Sequence, residues 1–139
     1  MWWLREAELK HGRVAMLAFV GFALPDALPQ IQLDNGVVAP SIAAHDASLG
    51  AYGGPLGQVW LFVAALEVLV GLPAISFSAA GGERAAGDFS FDPLGLGAGT
   101  PEQKAEMALK ELVHGRAAMI GFAGIVTQAG LGHTQFPYW

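Results

Sequence analysis

The sequence predicts an all-α membrane protein of three membrane-spanning helices, with the first and third crossed as a pseudo-symmetric pair. Three observations predict it. Of 139 residues, 53% are hydrophobic and only 14% charged, and the mean hydropathy is positive, a balance outside that of ordinary soluble domains. The segment "ELKHGRVAML", Glu8 to Leu17, almost recurs as "ELVHGRAAMI", Glu111 to Ile120. Finally, the seven basic residues are segregated. In a three-span chain Arg5, Lys10, Arg13, Arg84, Lys104, Lys110 and Arg116 share one side, whereas neither residues 25–54 nor the tail after Gln128 holds a Lys or Arg. The positive-inside rule produces that asymmetry, with the N-terminus on the side of insertion, and a soluble apolar bundle gives no reason for it.

The first helix is expected from about Trp2 to Leu24, ending before Pro25. The second runs from about Pro55, a residue suited to a first helical turn, to Leu72, with Pro73 just beyond. The third is expected over residues 101–128, with Thr100 as cap and Pro101 in the first turn. Crossing ~30 Å of hydrocarbon takes roughly 20 residues, so all three span only if their charges are tolerated inside. Residues 1–139 read as one domain. No targeting segment is visible ahead of the first helical pattern, as expected of a chain whose targeting residues were removed or of a partial one. The absence of cysteine excludes disulfides, thiolate metal sites and cysteine nucleophiles. A formal charge of −5 argues against nucleic acid as a partner.

The repeat pairs Glu8 with Glu111, His11 with His114, Gly12 with Gly115, Arg13 with Arg116, Met16 with Met119 and Phe19 with Phe122. At about 100° per residue, Glu8 and His11 share a face, while Arg13 points roughly 140° away from Glu8. An arginine so placed cannot neutralise its own helix's acid. If the two helices cross symmetrically, Arg13 meets Glu111 and Arg116 meets Glu8. Bare charge in a bilayer is costly, so pairing is close to obligatory. Gly12, Ala15, Ala18 and Gly21, with Gly115, Ala118, Gly121 and Gly124, would let the backbones approach.

A structural lock of two ion pairs leaves His11 and His114 unexplained. Imidazole donates an electron pair to metals, and a carboxylate whose charge an arginine cancels still offers an oxygen, which makes Glu8, His11, Glu111 and His114 a donor set. A di-iron carboxylate site uses Glu-x-x-His on two helices but needs two further glutamates, and Glu67 is the one further buried-looking acid. The other reading is a metal already inside a flat macrocycle, such as magnesium in chlorophyll, which takes one axial ligand per centre.

These residues resemble the chlorophyll-binding light-harvesting antenna proteins of plastids. Their signature, Glu-x-x-His/Asn-Gly/Ser-Arg-x-Ala-Met on the first and third of three helices, is matched at both repeats, and "FDPLGLG", Phe91 to Gly97, is similar to the family's Phe-Asp-Pro-Leu-Gly loop. The resemblance covers essentially the whole chain. It implies that Glu8 and Glu111 are magnesium ligands bridged by Arg116 and Arg13, that His11 is a ligand, and that His114 stands where many members carry asparagine. It also implies ligands at Gln128 and, within "GQVWLFVAALEVLVG", at Glu67 and Gln58, at a spacing closer to red-lineage, chlorophyll a/c-type antennae. His45 is a candidate ligand on a short surface helix, with a solvated loop histidine as the competing reading, and His133 is a candidate further ligand. Asp92 is expected to shape a turn before Pro93. The family's stretch ahead of the first helix, with its own Phe-Asp-Pro-Leu-Gly-like motif, is almost absent.

The resemblance further implies chlorophyll a, with chlorophyll c or another accessory chlorophyll, and xanthophyll carotenoids along the crossed helices. It implies a thylakoid location with a stromal N-terminus, and partners comprising a photosystem core (I or II), neighbouring antenna subunits and thylakoid lipids. The chain would catalyse no bond chemistry; it would transfer excitation, or, as an alternative within the family, dissipate it. A structural three-helix protein and a di-iron oxidase are the readings from other classes.

Overall fold

The computed structural model describes residues 1–28, 40–48, 54–93, 95, 97 and 99–139. Leu94 and Leu96 of the Phe91–Gly97 loop lie outside the described residues. Among those described, all regular structure is helical: α1 (Trp2–Ala27), α2 (Ser41–Ser48), α3 (Pro55–Leu66), a π-turn (Glu67–Gly71), α4 (Leu72–Ala79) and α5 (Pro101–Gly130).

Prolines do not end the first two long helices where the sequence rule places the ends. α1 continues through Pro25 to Ala27 rather than stopping at Leu24. Only one intrahelical bond is forfeited there, and the Leu28 N–H closes the last turn onto the Leu24 carbonyl at 2.9 Å. The second helix runs past Leu72 and Pro73 to Ala79. A proline ring clashes with the carbonyl four residues back, here Leu69, and the π-turn just ahead of Pro73 widens the backbone at that carbonyl. α5 begins at Pro101 under a capping box, in which Thr100 Oγ1 accepts from the Gln103 N–H at 3.4 Å and Gln103 Oε1 accepts from the Thr100 N–H at 2.9 Å. It ends at Gly130 rather than Gln128.

α1 and α5 pack closely along their lengths. The contact is made by small residues: Gly12 and Gly115 are buried, as are Ala15 and Ala23 of α1 and Ala129 of α5. A Cβ placed on Gly12 would lie 3.0 Å from Gly115 Cα, and the reverse holds, so only hydrogen fits between the backbones. Farther along, the Phe22 and Phe122 rings meet edge to face at 6.2 Å between centroids.

α3, the π-turn and α4 form one continuous helix, Pro55–Ala79, the only one among the described residues long and apolar enough to cross a membrane by length and composition. At 26 and 30 residues, α1 and α5 have the length but carry ionic side chains. The helix Pro55–Ala79 makes no close backbone approach to α1 or α5, and Gly71 is its one buried residue. Buried hydrophobic residues comprise Ala15, Ala23, Ala129 and Tyr138, while Val59, Trp60, Leu61, Phe62, Leu69 and Leu72 are among many large apolar side chains left exposed. Among the described residues the chain has almost no core of its own, and these exposed faces call for an apolar covering.

Candidate functional site

Where α1 and α5 meet, each arginine reaches the acid of the other helix. Arg13 Nε donates to Glu111 Oε1 at 2.7 Å. Arg116 Nε donates to Glu8 Oε1 at 2.6 Å, and its Nη2 lies at the same distance from that oxygen. The two halves are not equivalent. Arg5 Nη1 donates to Glu8 Oε2 at 2.7 Å, whereas Ala108 occupies the matching place before Glu111. Among the described residues, Glu111 therefore keeps one oxygen without a hydrogen bond.

Both histidines of the repeat are exposed and oriented alike. His11 Nδ1 lies 2.7 Å from the Ala7 carbonyl, and His114 Nδ1 lies 2.8 Å from the Lys110 carbonyl, each one turn back along its helix. A carbonyl only accepts, so Nδ1 carries the proton. In the neutral ring Nε2 then keeps its lone pair, the tautomer a metal ligand requires.

The other predicted residues are spread over the molecule. Glu67 lies in the π-turn, is 52% exposed and pairs with Lys10 of α1. Gln58, in the first turn of α3, is exposed. Gln128 lines a hollow of about 550 Å³ with Gly121, Gly124, Pro137 and Trp139. A second hollow, of about 560 Å³, has Glu8, Arg5 and Trp2 in its wall. His45 sits on α2, exposed, with its ring nitrogen 3.3 Å from Asp46 Oδ1. His133 is exposed just after α5, its N–H donating to the Gln128 carbonyl at 3.0 Å. Asp92 shapes its turn, Oδ2 accepting from the Gly97 N–H at 2.7 Å. Among the described residues no three His, Asp or Glu side chains converge on a metal ion. The candidate donors stand singly, unlike the clustered carboxylates and histidines of a di-iron site.

Two clusters escaped the sequence reading. Among the described residues Glu6 is the one fully buried charged residue, at 1% exposure. Its Oε2 accepts from the Gly87 N–H at 2.6 Å and lies 3.0 Å from Arg84 Nη2. That contact is Coulombic, because Nη2 points off the direction of a hydrogen bond. Arg84 also lies over the Trp2 and Phe89 rings, at 5.5 and 5.0 Å from their centroids. Gly87, at φ +77, packs so closely that a Cβ there would meet Leu9 at 2.6 Å, and its carbonyl accepts from Arg13 Nη1 at 2.7 Å. The usable signal was an isolated arginine followed by a Gly-Asp turn. At the other end, Asp26 accepts from the Ser41 N–H at 2.8 Å and from the Tyr138 hydroxyl at 2.8 Å. Burial, then the hydrogen bond to Asp26 and its charge, hold the Tyr138 phenol protonated well above its ordinary range.

The family model described as "Chlorophyll A-B binding protein" matches residues 1–130. Among curated proteins, the chain is 33% identical to the fucoxanthin-chlorophyll a-c binding protein of Isochrysis galbana, over 98% of this chain and 68% of that protein. It is 31% identical to fucoxanthin-chlorophyll a-c binding protein A of Phaeodactylum tricornutum, over 96% of this chain and 68% of that protein. To light-harvesting complex stress-related protein 3.2 of Chlamydomonas reinhardtii it is 36% identical, over 94% of this chain and 53% of that protein, so it spans about half of that relative.

Proposed function

Because the chain belongs to the chlorophyll A-B binding protein family, we propose that it is a light-harvesting antenna protein whose side chains hold chlorophylls and carotenoids for a photosystem. Glu8, Glu111, His11 and His114 are the central magnesium ligands. Gln128, Glu67 and Gln58 are further ligands, with His45 and His133 as outlying ones. The observation that carries this reading is the pair of histidines whose Nδ1 protons are spent on backbone carbonyls. Beside each stands a carboxylate already neutralised by an arginine. Hard magnesium accepts both donor types, and charge-compensated carboxylates can sit in an apolar setting.

The fit extends beyond the donors. The exposed apolar faces of Pro55–Ala79 and the hollows beside Glu8 and Gln128 are surfaces that flat, apolar rings would cover. Bound there, chlorophylls supply light absorption and excitation transfer, and carotenoids supply blue-green absorption and triplet quenching. The chain's own work is to fix each ligand atom and the charge around it, which tunes pigment energies, and to separate the donors so that each carries its own ring. The helices α1, Pro55–Ala79 and α5 cross the thylakoid membrane, α1 and α5 as a pseudo-symmetric pair, with the N-terminus on the stromal side where the basic residues gather. Chlorophyll a with chlorophyll c and a xanthophyll is the expected complement. A second reading is dissipation of excess excitation, which a shortened fluorescence lifetime on acidification would distinguish from harvesting; one relative is named stress-related.

The direct test is the extracted-pigment stoichiometry of the native protein beside Glu111→Ala. Loss of chlorophyll together with weaker assembly supports the reading. Unchanged pigment content would reduce the repeat to a structural lock and withdraw the ligand assignments.

A further inference from the structure

The helix Pro55–Ala79 contains no Lys or Arg, yet Glu67 lies near its midpoint. A lone carboxylate there would be the least tolerable charge in the chain. Its counter-charge comes from another helix. Lys10 Nζ donates to Glu67 Oε2, reaching from α1 across a gap that the two backbones do not close. Lys10 has no counterpart in the repeat, where Val113 stands at the matching place, so the symmetric lock of α1 and α5 does not account for it. Its ammonium is held from a second direction by the face of Phe89, 5.7 Å from the ring centroid.

Gly71 supplies the independent observation. Buried within the π-turn, it lies against the pair. A Cβ there would overlap Glu67 Oε2 and fall 3.1 Å from Glu67 Cδ and 3.2 Å from Lys10 Nζ. In this rotamer the carboxylate meets the lysine in the space that a side chain at residue 71 would take. Among the described residues, Glu67 Oε1 accepts no hydrogen bond, which leaves a neutralised carboxylate with one oxygen to donate. We propose that Lys10 and Gly71 are positioning residues for a pigment held at Glu67, Lys10 cancelling its charge and Gly71 making room for the pair. The proposal rests on the reading of Glu67 as a magnesium ligand.

The test reconstitutes the full chain with chlorophyll a and a xanthophyll, then compares pigments per chain and the absorption spectrum across five variants. Lys10→Met and Gly71→Ala are expected to lose the same single chlorophyll and the same absorption band as Glu67→Ala, and Lys10→Arg to keep both. The double variant Lys10→Met/Glu67→Gln is expected to regain them. An amide oxygen still donates to magnesium and needs no counter-charge, whereas a purely structural tether would stay broken. If Glu67→Ala loses a chlorophyll but Lys10→Met and Gly71→Ala do not, or if the double variant stays deficient, the proposal is overturned. If Glu67→Ala itself keeps every chlorophyll, the ligand reading beneath it fails.

Discussion

Gly12 of α1 and Gly115 of α5 face each other where the two helices meet, with room for hydrogen alone, a Cβ on either lying 3.0 Å from the other's Cα. The neighbour is backbone and cannot swing aside. Gly12→Ala or Gly115→Ala is therefore expected to push the helices apart at a cost of roughly 1–3 kcal/mol. Gly21→Ala, where nothing lies within 4 Å, should be nearly silent. Detergent melting of the pigmented protein compares the three, and equal melting would mean that the helices do not meet here.

Replacing Arg13 with leucine strands Glu111, and replacing Arg116 strands Glu8 less completely, because Arg5 still holds the latter. Arg13→Leu is thus expected to be the more damaging. Its cost lies between the roughly 0–1 kcal/mol of an exposed pair and the about 3–5 kcal/mol of a buried pair broken on one side. Assembly yield on reconstitution reads the difference, and the opposite ranking would remove Arg5 from this account.

His114→Asn is expected to retain chlorophyll, since an amide oxygen also donates to magnesium, while His114→Leu loses it. Pigment counts per chain decide. Retention by both variants would mean that His114 binds nothing and that its bond to the Lys110 carbonyl only orients an idle ring.

Glu6→Leu leaves Arg84 and the Gly87 N–H buried without their partner. A loss of about 3–5 kcal/mol is expected, seen as a lower melting temperature and faster proteolysis within residues 80–92. A melt like that of the wild type would show that the loop is held by other contacts.

Tyr138 responds to alkali. Its folded-state phenol keeps its proton above the ordinary value of 10.0. Below that pH both folded and unfolded chains are protonated and the anchoring to Asp26 is complete. As pH rises past it, the unfolded chain ionises first and the stabilisation drains away. Carboxypeptidase attack on the tail is expected to accelerate above about pH 10 and, in Tyr138→Phe, to be fast already at neutral pH. A pH profile shared by both proteins would sink the idea.

Much of the helical framework can be read from the chain, because prolines, a Thr-Pro cap and apolar runs are local signals. The ends were harder. Pro25 and Pro73 are absorbed, one by a last turn that closes around it and the other by a π-turn that leaves no mark on hydrophobic periodicity. In the site, the angular spacing of Glu8, His11 and Arg13 along a helix is enough to separate candidate donors from counter-ions. Nothing comparable links Glu6 to Arg84 or Lys10 to Glu67, because those pairs depend on how a loop and a distant helix come to rest against α1.

Gly87 ties together three parts of the molecule. Its N–H is gripped by Glu6 and its carbonyl by Arg13, which also holds Glu111. Mechanically this single residue is a rivet through three parts: the N-terminal end of α1, the loop before α5, and the ion pair between α1 and α5. Strain applied to the loop is delivered to Arg13, and a change in how Glu111 is engaged is delivered back to the loop. Occupancy of one place and the conformation of the other are therefore coupled, in both directions and by the same free energy.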